Sequence, residues 1–297
     1  LRTYLECIPC FFRQALEAAK KAGADEVTQK DILDRLARML PDITLDSSPP
    51  EMGRIIYNMV SEITGIEDLY SEEKKKSNKM AMGVYDRMVG KLMDAEDSIL
   101  CAVEMAVAGN IIDYGAKSYL DVDAEIERLL DAEEEHIKKE SRRLFDHEKF
   151  LEALSGAENI LYLGDNAGEI VFDRILIEEI KRSYPGKTVT FAVKEKPIIN
   201  DALKEDALLC GIGDVAEIVS SGSDAPGTVL PLCSEDFLKR FGNADMVISK
   251  GQGNFEALSG VNRPVFFLFM AKCPVISEHA GCSVGDVILR YHDGRNS

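Results

Sequence analysis

Ile160-Leu161-Tyr162-Leu163-Gly164-Asp165-Asn166-Ala167-Gly168-Glu169 runs from four apolar residues into a short polar turn, and residues 170–180 then repeat apolar side chains at helical spacing. A wholly apolar strand that turns directly into a helix is the opening unit of a parallel sheet covered on both faces. Working outward, similar short apolar runs occur at 189–193, 216–219, 246–248 and 265–269, each separated from the next by a helical pattern. This alternation predicts an α/β fold: a Rossmann-like, mostly parallel open sheet of about five or more strands, with helices on both faces and right-handed crossovers.

Upstream the grammar differs. Apolar residues recur at helical spacing in Phe11, Phe12, Ala15, Leu16 and Ala19, and again in Ile32, Leu33, Leu36 and Leu40. Residues 41–52, carrying Ser47-Ser48-Pro49-Pro50, read as a loop, and Asn110 and Gly115 mark the end of a helix that includes 101–108. Residues 121–140, acidic and then basic, read as exposed helix. The expected organisation is an all-helical domain over 1–150 followed by an α/β domain over 151–297 that carries the functional site. A chain of 297 residues with 45% hydrophobic and 29% charged residues can bury two such cores.

The formal charge of -17 repels nucleic-acid backbones and anionic lipid surfaces, and neither is expected as a partner. Lys74-Lys75-Lys76 with Lys79 follow Glu72 and Glu73 and read as the solvated face of a helix. A small anionic substrate remains compatible, because a metal ion and one or two placed lysines set the local potential. Seven cysteines, an odd number scattered over the chain, suit reduced thiols in a cytoplasmic protein better than a disulfide framework. No apolar stretch approaches the length needed to span a bilayer.

In an open parallel sheet the ligand crevice lies at the carboxyl ends of the strands, where Asp165 and Asn166 fall. A carboxylate beside an amide oxygen suits Mg²⁺, Mn²⁺ or a similar hard cation; equally, either residue could cap the following helix. Asp201 follows the second run and could join Asp165 in an oxygen-rich site, or Asn200 or Asp201 could cap a helix over 202–209. The fourth run enters Lys250-Gly251-Gln252-Gly253-Asn254-Phe255-Glu256. Backbone N–H groups freed by glycines, beside a lysine and at a helix start, suit a phosphate, and a plain turn before a helix is the alternative. Cys7-Ile8-Pro9-Cys10 invites a zinc or redox reading, but no second pair supplies four ligands, so a packing role is preferred.

Taken together, Asp165-Asn166-Ala167-Gly168, Asp201 and Lys250-Gly251-x-x-Asn254 resemble the family once called domain of unknown function 89, now described as damage-control phosphatases. The resemblance covers nearly the whole chain, including a helical region before the sheet, and the Cys7–Cys10 spacing is similar to that of the microbial branch. It implies a divalent ion (Mg, Mn, Co or Ni) held by Asp165, Asn166 and Asp201, with Asp165, Asp201 and Lys250 in catalytic roles. It further implies that Lys250, Gly251, Gly253 and Asn254 receive the phosphoryl group of a small phosphorylated substrate, and that Glu169 and Glu256 also bind that substrate. Asn110 and Asp113, in the segment Gly109-Asn110-Ile111-Ile112-Asp113-Tyr114-Gly115, would reach the cleft mouth, unless Asn110 is simply a helix cap.

The expected reaction is hydrolysis of a sugar phosphate or a damaged phosphorylated cofactor by direct attack of water. A methyltransferase using S-adenosylmethionine is one rival, although the place of its usual glycine-rich turn is taken by Asp165 and Asn166. A phosphometabolite-binding protein without turnover is the other.

Overall fold

The computed structural model describes residues 1–109 and 144–295. Helices α1 (Cys7–Lys21), α2 (Glu26–Met39) and α3 (Pro49–Thr64) close over their own core, in which Phe11, Ile32, Leu36, Ile56 and Val60 are buried. Helix α3 starts inside the stretch expected as loop. Ser48 accepts from the Glu51 backbone N–H while the Glu51 carboxylate accepts from that of Ser48, and Pro49 and Pro50 occupy positions that need no hydrogen-bond donor.

Helix α4 (Ser71–Asp94) corrects the reading of the lysine run. Lys75, Lys76 and Lys79 are exposed as expected, but Lys74 is 3% exposed and pairs with Asp68 (2.9 Å) and Asp206 (3.7 Å). One partner lies 132 residues further along the chain, so no local pattern could reveal it. Helix α5 (Ser98–Ala108) follows, and α6 (His147–Gly156) leads into the sheet.

The sheet has six strands: β1 (Asn159–Leu163), β2 (Thr188–Val193), β3 (Glu217–Ser220), β4 (Met246–Lys250), β5 (Pro264–Met270) and β6 (Val287–Asp293). Their order is β3-β2-β1-β4-β5-β6, parallel throughout except for β6, which runs antiparallel to β5. Helices cover both faces. Helices α4, α5, α6 and α7 (Glu169–Ser183) pack on one side, where Val84, Val103, Phe150 and Ile175 meet Tyr162, Phe191, Ile248 and Phe266. Helices α9 (Glu235–Asn243), α10 (Gln252–Leu258) and α11 (Pro274–Ala280) pack on the other, where Phe237, Phe255 and Ile276 meet Leu161, Val247, Phe267 and Phe269. The first of these cores joins residues from both sides of position 150.

The chain leaves β1 toward β2 and β3, then returns to β4 on the other side of β1. Exit loops on opposite sides of such a reversal diverge and leave a crevice at the carboxyl edge of the sheet. The loops after β1 and β4 border it.

Candidate active site

Residues 164–168 leave β1 and run beside residues 200–202, which follow β2. Asn166 and Asp201 form an isolated antiparallel bridge, Ala202 N donates to Asp165 O (2.8 Å), and Ala167 N donates to Asn200 O (2.9 Å). Three sequence-predicted residues, Asp165, Asn166 and Asp201, are thereby brought together, 8%, 5% and 3% exposed respectively.

None of the three caps a helix. The residue before α7 is Gly168 at φ 86°, with no side-chain cap. The helix after Asp201 is the short α8 (Lys204–Leu209), and its first turn is served by Asp206, which accepts from Leu203 N at 2.9 Å. The capping alternatives are excluded for these residues.

The chemistry of the donors fits a hard divalent cation. The Asn166 amide nitrogen donates to Asp165 Oδ2 (3.0 Å) and Glu169 Oε1 (2.8 Å), which fixes the amide and presents its oxygen as the remaining donor atom. Among the described residues no three His, Cys, Asp or Glu side chains form a group able to hold a metal. A cation held by Asp165, Asn166 and Asp201 would take two carboxylates and one amide, with its other positions open to water or substrate. Charge points the same way. Among the described residues, Asp165, Glu169, Asp173 and Asp201 are buried against the buried ammonium groups of Lys194 and Lys250, with the half-buried Lys272 beside them, an acidic excess that a divalent cation would offset. Burial raises the Asp165 carboxyl, opposed by the charges of Lys272, Lys194 and Lys250.

The exit of β4 is built differently. Gly251, at φ 83°, faces the Asp165 carboxylate so closely that a Cβ at this position would overlap it. Only glycine admits both the backbone angle and the approach. Lys250 is fully buried; its Nζ donates to Asp173 Oδ1 (2.7 Å) and lies 3.7 Å from Glu169 Oε2. Burial would lower the Lys250 pKa, but Asp173 and Glu169 more than compensate and hold it above the usual lysine value.

Asn254, expected to receive phosphate, has its polar atoms committed internally. Its Nδ2 donates to Lys250 O (2.7 Å) and Gly164 O (3.3 Å), and its Oδ1 accepts from Thr228 (2.8 Å). It joins the exits of β1 and β4 from behind, and this geometry assigns it to positioning, not to ligand contact. Gly253 lies in the first turn of α10, where a Cβ would come to 3.1 Å from Pro226 O, so its role is close packing of that helix. Glu256 Oε1 accepts from Gln252 Nε2 (2.8 Å), and burial pushes its carboxyl up to about 7. Asn110 and Asp113 lie outside the described residues.

Four site residues escaped the sequence reading. Lys194, at the end of β2, lies 3.5 Å from Asp201 Oδ2. Lys272, just beyond β5, lies where its charge acts on Asp165. Asp173 accepts from Lys250 from below and is itself held by the Tyr162 hydroxyl. A signal existed for Asp173, because Glu169 and Asp173 form an acidic i, i+4 pair on an otherwise apolar helix face. The Cys7–Cys10 pair opens α1, both residues half-buried, and all seven cysteines are thiols.

Comparison with known proteins identifies the family and the fold. Residues 3–288 match the family described as the damage-control phosphatase ARMT1-like domain. A damage-control phosphatase of Pyrococcus horikoshii is 34% identical over 97% of this chain and 97% of its own. A damage-control phosphatase of Archaeoglobus fulgidus is 32% identical over 96% and 97%. The crystal structure of a DUF89 family protein from Pyrococcus horikoshii superposes with a TM-score of 0.87 at 33% identity, covering 98% of this chain and 99% of that one.

Proposed function

Because the chain belongs to the damage-control phosphatase ARMT1-like family, a phosphatase family, we propose that it is a divalent-metal-dependent phosphomonoesterase acting on a small phosphorylated metabolite. The observation that supports this reading is the backbone pairing that sets buried Asp165 and Asn166 beside buried Asp201, with the Asp165 carboxylate against Gly251 at the exit of β4. Asp165, Asn166 and Asp201 would hold a cation of the Mg²⁺ or Mn²⁺ type, which when bound would supply Lewis-acid charge neutralisation at the phosphoryl group.

The chain's own residues do the rest. Asp165, Asn166 and Asp201 orient the reacting group at the crevice, and Asp165 or Asp201 accepts the proton of the attacking water. Lys250, Lys194 and the half-buried Lys272 surround this point with positive charge, which favours a phosphate dianion and the charge that develops on its oxygens. The Gly251 N–H is already committed to Leu268 O at 2.9 Å, so the glycine contributes room for close approach more than a donor. Glu256, with its carboxyl near neutrality, is suited to hand a proton to the departing oxygen. The carboxylate and amide at the exit of β1 replace the glycine-rich turn that a methyltransferase would need, so we set that reading aside. The preferred substrate class is a sugar phosphate or a damaged phosphorylated cofactor, and the setting a soluble cytoplasmic one; among the described residues no helix is long and apolar enough to cross a membrane.

The test is phosphate release from p-nitrophenyl phosphate and a panel of sugar phosphates after chelator treatment, with Mg²⁺, Mn²⁺, Co²⁺ or Ni²⁺ added back. Restoration of release by metal is the expected result. A folded protein that binds phosphate esters but releases nothing with any metal would make it a binding protein instead.

A further inference from the structure

Below the crevice lies a charged group with no direct part in the chemistry described above. Asp173 sits one helical turn beyond Glu169 on α7, and it is fully buried. Its Oδ1 accepts two hydrogen bonds, from Lys250 Nζ and from the Tyr162 hydroxyl, each at 2.7 Å. Its Oδ2 has no hydrogen-bond partner among the described residues. Lys250 Nζ also lies 3.7 Å from Glu169 Oε2, while Glu169 Oε1 accepts from Asn166. A continuous polar chain thus runs from Tyr162 in the middle of the sheet, through Asp173, Lys250 and Glu169, to Asn166 at its edge.

A lysine carries a point charge on a flexible four-carbon stem, and an ammonium without acceptors in an apolar interior is strongly destabilised. Two anchors therefore decide where this ammonium stands. Glu169 is shared with Asn166, and its approach to Nζ is too long for a hydrogen bond. The short contact comes from Asp173, and Tyr162 keeps that carboxylate from rotating. We propose that Asp173 is a positioning residue which, held by Tyr162, fixes the Lys250 ammonium for a phosphate dianion and leaves the metal-binding residues largely unaffected. This inference rests on the reading of Lys250 as a cation that supplies positive charge beneath the phosphoryl group.

The test measures, by calorimetry, the binding of Mn²⁺ and then of inorganic phosphate to the Mn²⁺-loaded protein, for wild type, Asp173→Asn, Lys250→Gln and the double variant. Asp173→Asn keeps the side-chain shape and should weaken phosphate binding about tenfold or more, the usual scale for a supporting partner, with Mn²⁺ affinity changed less than about threefold. Lys250→Gln should weaken phosphate at least as much. In the Lys250→Gln background Asp173→Asn should add nothing, because its effect passes through that lysine. Tyr162→Phe, which removes one donor and keeps the packing, should give a smaller loss of roughly threefold.

Equal losses from Asp173→Asn in both backgrounds would overturn the proposal, as would a parallel fall in Mn²⁺ affinity, which a merely structural role predicts. Unchanged phosphate binding in Lys250→Gln would remove the role of the lysine and this inference with it. A response to Lys250→Gln with none to Asp173→Asn or Tyr162→Phe would overturn the Asp173 proposal alone.

Discussion

The exits of β1 and β4 lie side by side at the same edge of the sheet, and both looked from the sequence like ligand-binding loops, yet they are built on opposite plans. After β1, the backbones of Asp165 and Asn166 are tied to residues 200–202, which brings three buried hard-oxygen side chains, those of Asp165, Asn166 and Asp201, onto adjoining segments at the crevice. After β4, Lys250 and Asn254 turn inward and spend their polar atoms on Asp173, Thr228 and the carbonyls of Gly164 and Lys250. The first loop is arranged to meet a ligand; the second shapes the floor and supplies charge from beneath. A polar residue at a strand end is therefore not by itself a contact residue. What its donors and acceptors already hold decides the matter.

The largest expected effect comes where the two loops touch. Gly251→Ala pushes a methyl group into the Asp165 carboxylate and strains a φ of 83°, and should cut kcat/KM on the order of 100-fold or more while the far-ultraviolet dichroism stays that of the wild type. A variant with normal turnover would show that the close approach is incidental.

The contrast sharpens with two asparagines. Asn254→Ala leaves two backbone carbonyls and the Thr228 hydroxyl short of a partner, and should lower unfolding stability by about 2–3 kcal/mol in urea titrations of the metal-free protein. Asn166→Ala also leaves two buried carboxylates short of a donor and should cost a comparable amount, about 1–3 kcal/mol, but it alone should weaken metal binding tenfold or more. If Asn254→Ala weakened metal binding and Asn166→Ala did not, the division between the loops would be reversed.

Glu256 adds a pH dependence. Its carboxyl is raised from 4.5 to about 7 in the folded protein, so between those values the folded state binds more protons than the unfolded one. Its contribution to stability is thus fully present below about pH 4.5 and is lost as pH rises through 7. Stability of the metal-free protein should fall over this window by roughly 1–2 kcal/mol more in wild type than in Glu256→Gln, allowing for partial contact of the carboxyl with solvent. Thermal melts across pH 4.5 to 8 would decide it; identical slopes would remove the shift. The smallest effect belongs to Lys75→Ala, whose exposed pair with Glu72 should leave the urea midpoint unchanged within error. A clearly lowered midpoint would mean that Lys75, like its neighbour Lys74, is more than a surface residue.

Much of this architecture was legible before any coordinates. Strands β1, β2, β4 and β5 are buried over most of their length, and so they stand out as unbroken apolar runs between helices. Strand β6 did not, because its role as an antiparallel edge strand lets Arg290, His292 and Asp293 interrupt the run. Within the site, Asp165, Asn166 and Asp201 were visible as hard-oxygen side chains at strand ends. Lys194 and Lys272 also lie beyond strand ends but read as ordinary surface lysines, since only the topology brings them toward Asp201 and Asp165. Tyr162 was hidden in a strand whose apolar run accounts for it, and Asp173 showed only as the second acid of its pair with Glu169 on α7. Their meeting, and that of Lys74 with Asp206, is a tertiary event with no local trace.

The central claim is that two strand exits join to make one site for a divalent cation. Calorimetric titration of chelator-treated protein with Mn²⁺, run on wild type and on Asp165→Ala, tests it most directly. One cation should bind per wild-type chain, and the variant should lose that binding while remaining folded. Equal binding by both proteins would contradict the account.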